Sequence, residues 1–342
     1  MLKGKIYPVN SARIPVQNPF ILIARHVDRY PAGNGDMAPA AFPDDWERGN
    51  DFTSNRGWHM YHGEYVPGFP AHPHRGFETI TYARQGTIDH FDSHGNYGRY
   101  GDGDIQWMIS GKGLQHAEMF PLIHTDKENP FEIVQIWLNL PSHMKMAEPS
   151  YRMHWREQTP VVSLSEKNPA ENQLKVLVGR YFATAAQRPA DTSYGFDEDH
   201  YINVWDGHLK KGEKITMPKF PEDVKVQLYV ADGLLAAADY EVVSDSLLVY
   251  TSDTELVFTA REDTEFMVFT GKAIDEEVFA YGPFVMNTRE EVIQAYRDFE
   301  KNQFGGWPWS SSAPVIPSDK GRFSVHDKGS KITYPSDASE IS

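Results

Sequence analysis

Apolar residues in this chain come in short alternating runs, separated by turns rich in Gly, Pro, Asn and Asp. A period of two marks strands that bury one face. FETITYARQ before Gly86, GDIQWMI (Gly103 to Ile109), FEIVQIWLNL (Phe131 to Leu140) and LKVLVGRYF (Leu174 to Phe182) all read this way. DHFDSHGNYG places a turn at His94-Gly95-Asn96. Many short strands at close, regular spacing predict an all-β sandwich or barrel.

Around those strands the pattern changes. Residues 1–32 alternate with Pro interruptions, as edge strands and entry loops do. From Ala32 to Gly68 the chain turns to Gly, Pro, Asp, Asn and aromatics, a long loop that carries His59, His62 and Glu64. Its plain reading is a solvated surface excursion, and its sharper one a lid over a pocket mouth. Ser142 to Pro169 is polar and Pro-dotted and reads as the connection between two halves.

The later half repeats the earlier one. VQLYVADGLLAA aligns with TITYARQGTIDH, and Tyr-x-x-x-Gly recurs at Tyr82/Gly86 and Tyr229/Gly233, an offset of 233 − 86 = 147 residues. Near the end, Thr288 and Glu291 form a capping box, and Val292, Ala295, Tyr296 and Phe299 make a helical apolar stripe with Gly305 as its stop. The tail after Gly306 is Ser/Pro-rich and is expected to wrap the surface or stay partly disordered. The expected domains are 1–145, 146–305 with the helix near 288–303, and the tail 306–342.

Composition narrows the function. At 342 residues the chain is long enough for two cores, since a domain takes roughly 100–200 residues. A formal charge of −15 with scattered Lys and Arg argues against direct nucleic-acid binding. There is no cysteine, so any metal must be held by imidazole and carboxylate. The apolar run Phe20 to Ala24 is too brief for a signal-peptide core or a membrane span, which gives a cytoplasmic expectation.

Two close pairs of such ligands stand out: His72 with His74, and His116 with Glu118. On strands, each pair shares a face. A chain with 14 histidines can produce one His-x-His by chance; the second pair is what favours a metal site over structural histidines. Three imidazoles and a carboxylate suit Fe, Mn, Co, Ni, Cu or Zn rather than Ca or Mg, and leave positions open for chemistry. Gly111 and Gly113 would let the backbone approach that site closely. Glu78 shares parity with His72 and His74 on an unbroken strand, so it stands as an alternative fourth ligand or a group orienting an imidazole. Glu118 ranks ahead of it, because two carboxylates overload a divalent ion that must also admit a substrate. Phe69, Phe77, Trp107 and Phe120 flank the ligands; most are expected in the core, with one or two lining a pocket for a flat aromatic. The later half has no such pairs, only the isolated His200 and His208.

HPHRGFETITY, GDIQWMISGKGLQHAEM and YGPFVMNTREEVIQA, in that order, resemble the pirin family of the cupin superfamily. The resemblance is strong over about residues 65–145 and from Tyr281 to about Phe304, and weak between. It implies two cupin β-barrels (a bicupin) and a single non-haem iron(II) in the first, at His72, His74, His116 and Glu118. It implies one of two roles. The first is a quercetin 2,3-dioxygenase type of oxidoreductase acting on a flavonol-like aromatic and O₂, with Glu118 taking the hydroxyl proton. The alternative is a metal- or redox-sensing protein that binds a transcription factor or metabolic enzyme. The 32–68 loop and the extension after Gly306 depart from the family's pattern.

Overall fold

The computed structural model describes residues 3–44, 46–53, 55–238, 240–326 and 329–335. It is an all-β protein with one α-helix among the described residues, Arg289–Asn302. Residues 327–328 and 336–342 of the expected tail lie outside the described residues.

The chain forms two compact units that interleave along the sequence. One contains residues 1–24, 136–139 and 158–275; the other contains 25–135, 140–157 and 276–342. The division falls inside the strands Phe20–Tyr30 and Asn129–Asn139. Composition marks the order of the barrels but not this exchange of segments, which depends on pairing. The strand Lys3–Pro8 zips antiparallel onto Ser246–Thr251 and so joins the later barrel.

That later barrel has an apolar interior. A seven-stranded sheet begins at Lys3–Pro8 and continues through Ser246–Thr251, Val224–Asp232, Thr264–Lys272, Asn203–Leu209, Gln173–Val178 and Val161–Ser163. A four-stranded sheet and a two-stranded one, Arg180–Tyr181 with Thr184–Ala185, belong to the same unit. Val226, Leu228 and Val230 alternate inward with Trp205, Leu248, Phe258 and Phe266 in one core.

The unit of the first barrel is built differently inside. One of its sheets orders Lys331–Thr333, Phe323–His326, Tyr97–Gly101, Thr87–Asp92, Leu114–Met119 and Gly68–His74. Facing positions on Phe77–Gln85 are Thr79, Thr81 and Ala83, which the 147-residue offset equates with Val226, Leu228 and Val230. Gly86 and Gly233 both end their strands at φ +87°, so the repeat is structural as well as sequential. At Thr79 and Thr81 the first barrel is thus polar where its copy is apolar.

Two local expectations need correction. The segment 142–169 is more than a connection: Ser150–His154 pairs with Ile105–Ile109 as a strand of the first barrel's unit. The helix carries its capping box at Thr288 and Glu291 and buries Val292 and Ala295, but it ends at Gln303 in the left-handed conformation, before Gly305. No helix among the described residues is long and apolar enough to cross a membrane.

Candidate metal centre

Gly68–His74 and Leu114–Met119 run antiparallel, with His72 directly opposite His116. Strand alternation adds His74 beside His72 and Glu118 beside His116. The donor atoms of His72, His74 and His116 all lie within 4.8 Å of one another. Their ring centroids are 4.4 Å (His72–His116), 4.8 Å (His72–His74) and 4.9 Å (His74–His116) apart. His74 and His116 are buried and His72 is half-buried.

The surroundings set the proton positions. His72 Nδ1 lies 2.8 Å from the Pro70 carbonyl oxygen, and His74 Nδ1 lies 3.3 Å from that of Pro283. A carbonyl only accepts, so each Nδ1 carries the proton and each Nε2 keeps its lone pair. Both ring nitrogens of His116 are buried without a hydrogen-bond partner among the described residues. Burial pushes His72 down to about 4, and burial with neighbouring imidazoles pushes His74 and His116 well below the ordinary value. All three rings are neutral near pH 7, the form that ligates metal.

Glu118 stands beside the trio rather than within it. Its Oε2 is 3.8 Å from His116 Nε2. Thr81 Oγ1 donates to Oε1 at 3.2 Å and Gln135 Nε2 donates to Oε2 at 2.7 Å. Burial raises its carboxyl above the usual range, against the lowering effect of His90, Gln135 and Thr81. A buried carboxylate with neutral donors, next to an imidazole with no hydrogen bond, is short of positive charge; a divalent cation fits that deficit.

Glu78 does not face the trio. Gly76, at φ +88°, interrupts the strand between His74 and Phe77 and resets which face follows. Since Thr81 reaches Glu118, Phe77, Thr79 and Thr81 point inward and Glu78 points to the opposite face. There Glu78 Oε2 accepts from Trp107 Nε1 at 2.6 Å, which also removes Trp107 from the pocket. The close approaches at Gly111 and Gly113 are likewise not to the site. A Cβ at Gly111 would sit 2.1 Å from the Ala147 oxygen, and one at Gly113 would sit 2.7 Å from the Phe304 ring.

Of the flanking aromatics, Phe77 packs edge-on to His74 at 5.0 Å and Phe69 lies 6.3 Å from His72. Phe120 is core, tilted against Phe131 at 4.3 Å. From the long loop, Tyr61 stacks on Phe69 at 5.2 Å, while the exposed Phe52 lies 4.8 Å from the ring of His62. His62 itself is exposed and bonded through Nδ1 to the Gly49 oxygen at 2.8 Å. His59 is tied to Asp28 at 2.9 Å, and neither histidine joins the trio.

His90 was not singled out by its sequence context. It is fully buried on Thr87–Asp92, opposite Glu118 in the ladder, with neither ring nitrogen hydrogen-bonded among the described residues. Its ring lies 5.5 Å from His116 and stacks on Tyr151 at 5.3 Å. The available signal was His90-x-Asp92 on a strand, hidden because the adjacent His94-Gly95-Asn96 reads as a turn. His200 stacks on Tyr194 at 3.9 Å in the later unit and lies in no such cluster.

Residues 46–138 match the Pirin family, and residues 204–305 match the Pirin C-terminal cupin domain. A Pseudomonas aeruginosa protein, provisionally named quercetin 2,3-dioxygenase, is 37% identical over 239 residues, or 69% of this chain and 79% of that protein. The chain belongs to the pirin family. A pirin-like protein of Caulobacter vibrioides is 34% identical over 241 residues, covering 70% of this chain and 82% of its own. The crystal structure of a quercetin 2,3-dioxygenase from Acinetobacter baumannii matches with a TM-score of 0.69 at 29% identity, over 90% of this chain and 99% of that one. The two barrels are therefore the paired cupin domains of a pirin. The first holds three histidines that could bind a metal.

Proposed function

We propose that this pirin is a metal-dependent dioxygenase of the quercetin 2,3-dioxygenase type, with iron(II) held by His72, His74, His116 and Glu118. The carrying observation is the convergence of three neutral imidazoles within 4.8 Å of one another, beside a buried carboxylate whose hydrogen-bond donors among the described residues are the neutral Thr81 and Gln135. The donor set suits Mn, Co, Ni, Cu or Zn as well, and iron(II) is proposed first. The names of the Pseudomonas relative and the Acinetobacter structure support the reaction type.

Bound there, the ion would supply a Lewis-acid and redox centre for reaction with O₂. The protein's part is to orient, to exclude water and to take a proton. Phe69, half-buried beside His72 and already stacked on Tyr61, offers its remaining apolar surface to a flat ring. Glu118 accepts the hydroxyl proton of the substrate. Its raised carboxyl makes it a stronger acceptor than an exposed glutamate, and Thr81 and Gln135 hold both oxygens in place meanwhile. No direct nucleic-acid contact and a cytoplasmic setting belong to the same reading.

The test is to load the metal-free protein with Fe(II) under anaerobic conditions, then add a flavonol in air. Loss of flavonol absorbance with release of carbon monoxide is the expected result. If fully loaded protein gives no turnover, while His74→Ala alters capture of a transcription factor or metabolic enzyme, the sensing role replaces the enzymatic one.

A further inference from the structure

We infer that the C-terminal extension after residue 305 is a positioning element of the metal centre, because it clamps the backbone bulge that turns His72 inward. This rests on the three-histidine site proposed above. The Pirin C-terminal match ends at residue 305, so the extension lies beyond it.

The bulge is visible in the register. Phe69 pairs with Glu118 and His72 pairs with His116, so three steps on one strand match two on the other. Without the extra residue, Phe69 and His72 would lie on opposite faces; with it, both face the same interior. A bulge leaves backbone groups outside the ladder, and both of these have partners. The Pro70 carbonyl accepts from His72 Nδ1 at 2.8 Å, which aims Nε2 at the other two rings. The Ala71 amide donates to the Ser312 carbonyl, in the extension, at 2.7 Å.

The extension is fastened on both sides of that contact. Trp309 Nε1 donates to the Asp92 carbonyl at 2.8 Å, and its ring meets Phe91 at 4.9 Å and Tyr97 at 5.4 Å. Beyond Ser312, the Ile316 amide donates to Asp89 Oδ2 at 2.8 Å. Arg99, paired with Asp89, donates to the carbonyls of Ile316, Pro317 and Lys320. Phe323–Val325 then pairs with Tyr97–Arg99 as an added strand. Ser312 is therefore held between two anchors, and the Ala71 amide with it. Groups that orient a metal-binding imidazole from outside typically change metal affinity about 10–100-fold when removed.

The test is Co(II) titration of the metal-free full-length protein, reading affinity and the visible spectrum of the Co(II) form. Trp309→Ala should bind Co(II) about 10–100-fold more weakly with an altered spectrum, and Trp309→Phe should restore much of the affinity. A folded Trp309→Ala with wild-type affinity and spectrum overturns the inference. His74→Ala is the control: if it binds Co(II) as the wild type does, the metal centre itself is wrong. If Trp309→Ala does not fold, hydrogen exchange in the wild type decides, because coupling between sites is reciprocal. Co(II) should slow amide exchange in residues 306–320, and an unchanged rate there contradicts the coupling.

Discussion

Alanine at Gly76 should damage both stability and metal binding, and the structure indicates by how much. The residue sits at φ +88°, where an L side chain is strained by about 1–2 kcal/mol. A Cβ there would lie 2.0 Å from the Val285 oxygen and 2.9 Å from Met286 Sδ. Val285 cannot easily retreat. Its amide donates to the Arg75 oxygen at 3.0 Å, and its oxygen accepts from the buried Lys145 ammonium at 3.1 Å, which also holds the Gly76 oxygen at 2.8 Å. Forcing such an overlap apart costs about 1–3 kcal/mol, so the total is about 2–5 kcal/mol. At about 2–4 °C per kcal/mol, Gly76→Ala should melt about 4–20 °C below wild type. Gly35→Ala is the matched control, at φ +89° with nothing within 4 Å of the new Cβ, and should show the backbone strain alone. Since His74 lies two residues away, Gly76→Ala should also bind metal more weakly in calorimetric titration. Equal melting temperatures for the two variants would refute the packing argument.

Other substitutions separate the roles assigned above. Glu118→Ala should lower metal retention about 10–100-fold. Glu78→Ala should leave retention intact while stranding Trp107 Nε1, at about 1–3 kcal/mol of stability. Metal analysis giving the reverse order would exchange the two carboxylates. His200→Gln and His208→Gln should not change metal content. His154 is buried with neither ring nitrogen hydrogen-bonded, and burial lowers it from 6.5 to about 4. The unfolded chain therefore binds a proton between these values that the folded one refuses, so stability falls as pH drops from 6.5 toward 4. The loss reaches about 3 kcal/mol for this one group, at 1.36 kcal/mol per pH unit. His154→Phe should flatten that part of the stability–pH curve, measured by denaturant unfolding; parallel curves would dismiss the assignment.

The shared faces of His72/His74 and of His116/Glu118 were legible because strand alternation is a local rule, and each pair sits on a continuous stretch of strand. Glu78 was misplaced by the same rule, since one glycine at positive φ between His74 and Phe77 resets the alternation. Short-range reading also found the capping box at Thr288 and the repeated Tyr-x-x-x-Gly turns. Pairing between distant segments left no comparable trace. Nothing near Lys3–Pro8 announces Ser246–Thr251, and nothing near Ala71 announces Ser312. His90 was missed for the same reason, because its importance comes from facing Glu118 across a ladder.

Elemental analysis of wild type and His116→Ala, each stripped and reloaded with Fe(II), tests the metal centre most directly. The wild type should hold a single ion per chain tightly and the variant almost none. Wild-type protein that takes up no ion, or a variant that still retains it, would contradict the convergence of His72, His74 and His116 on one cation.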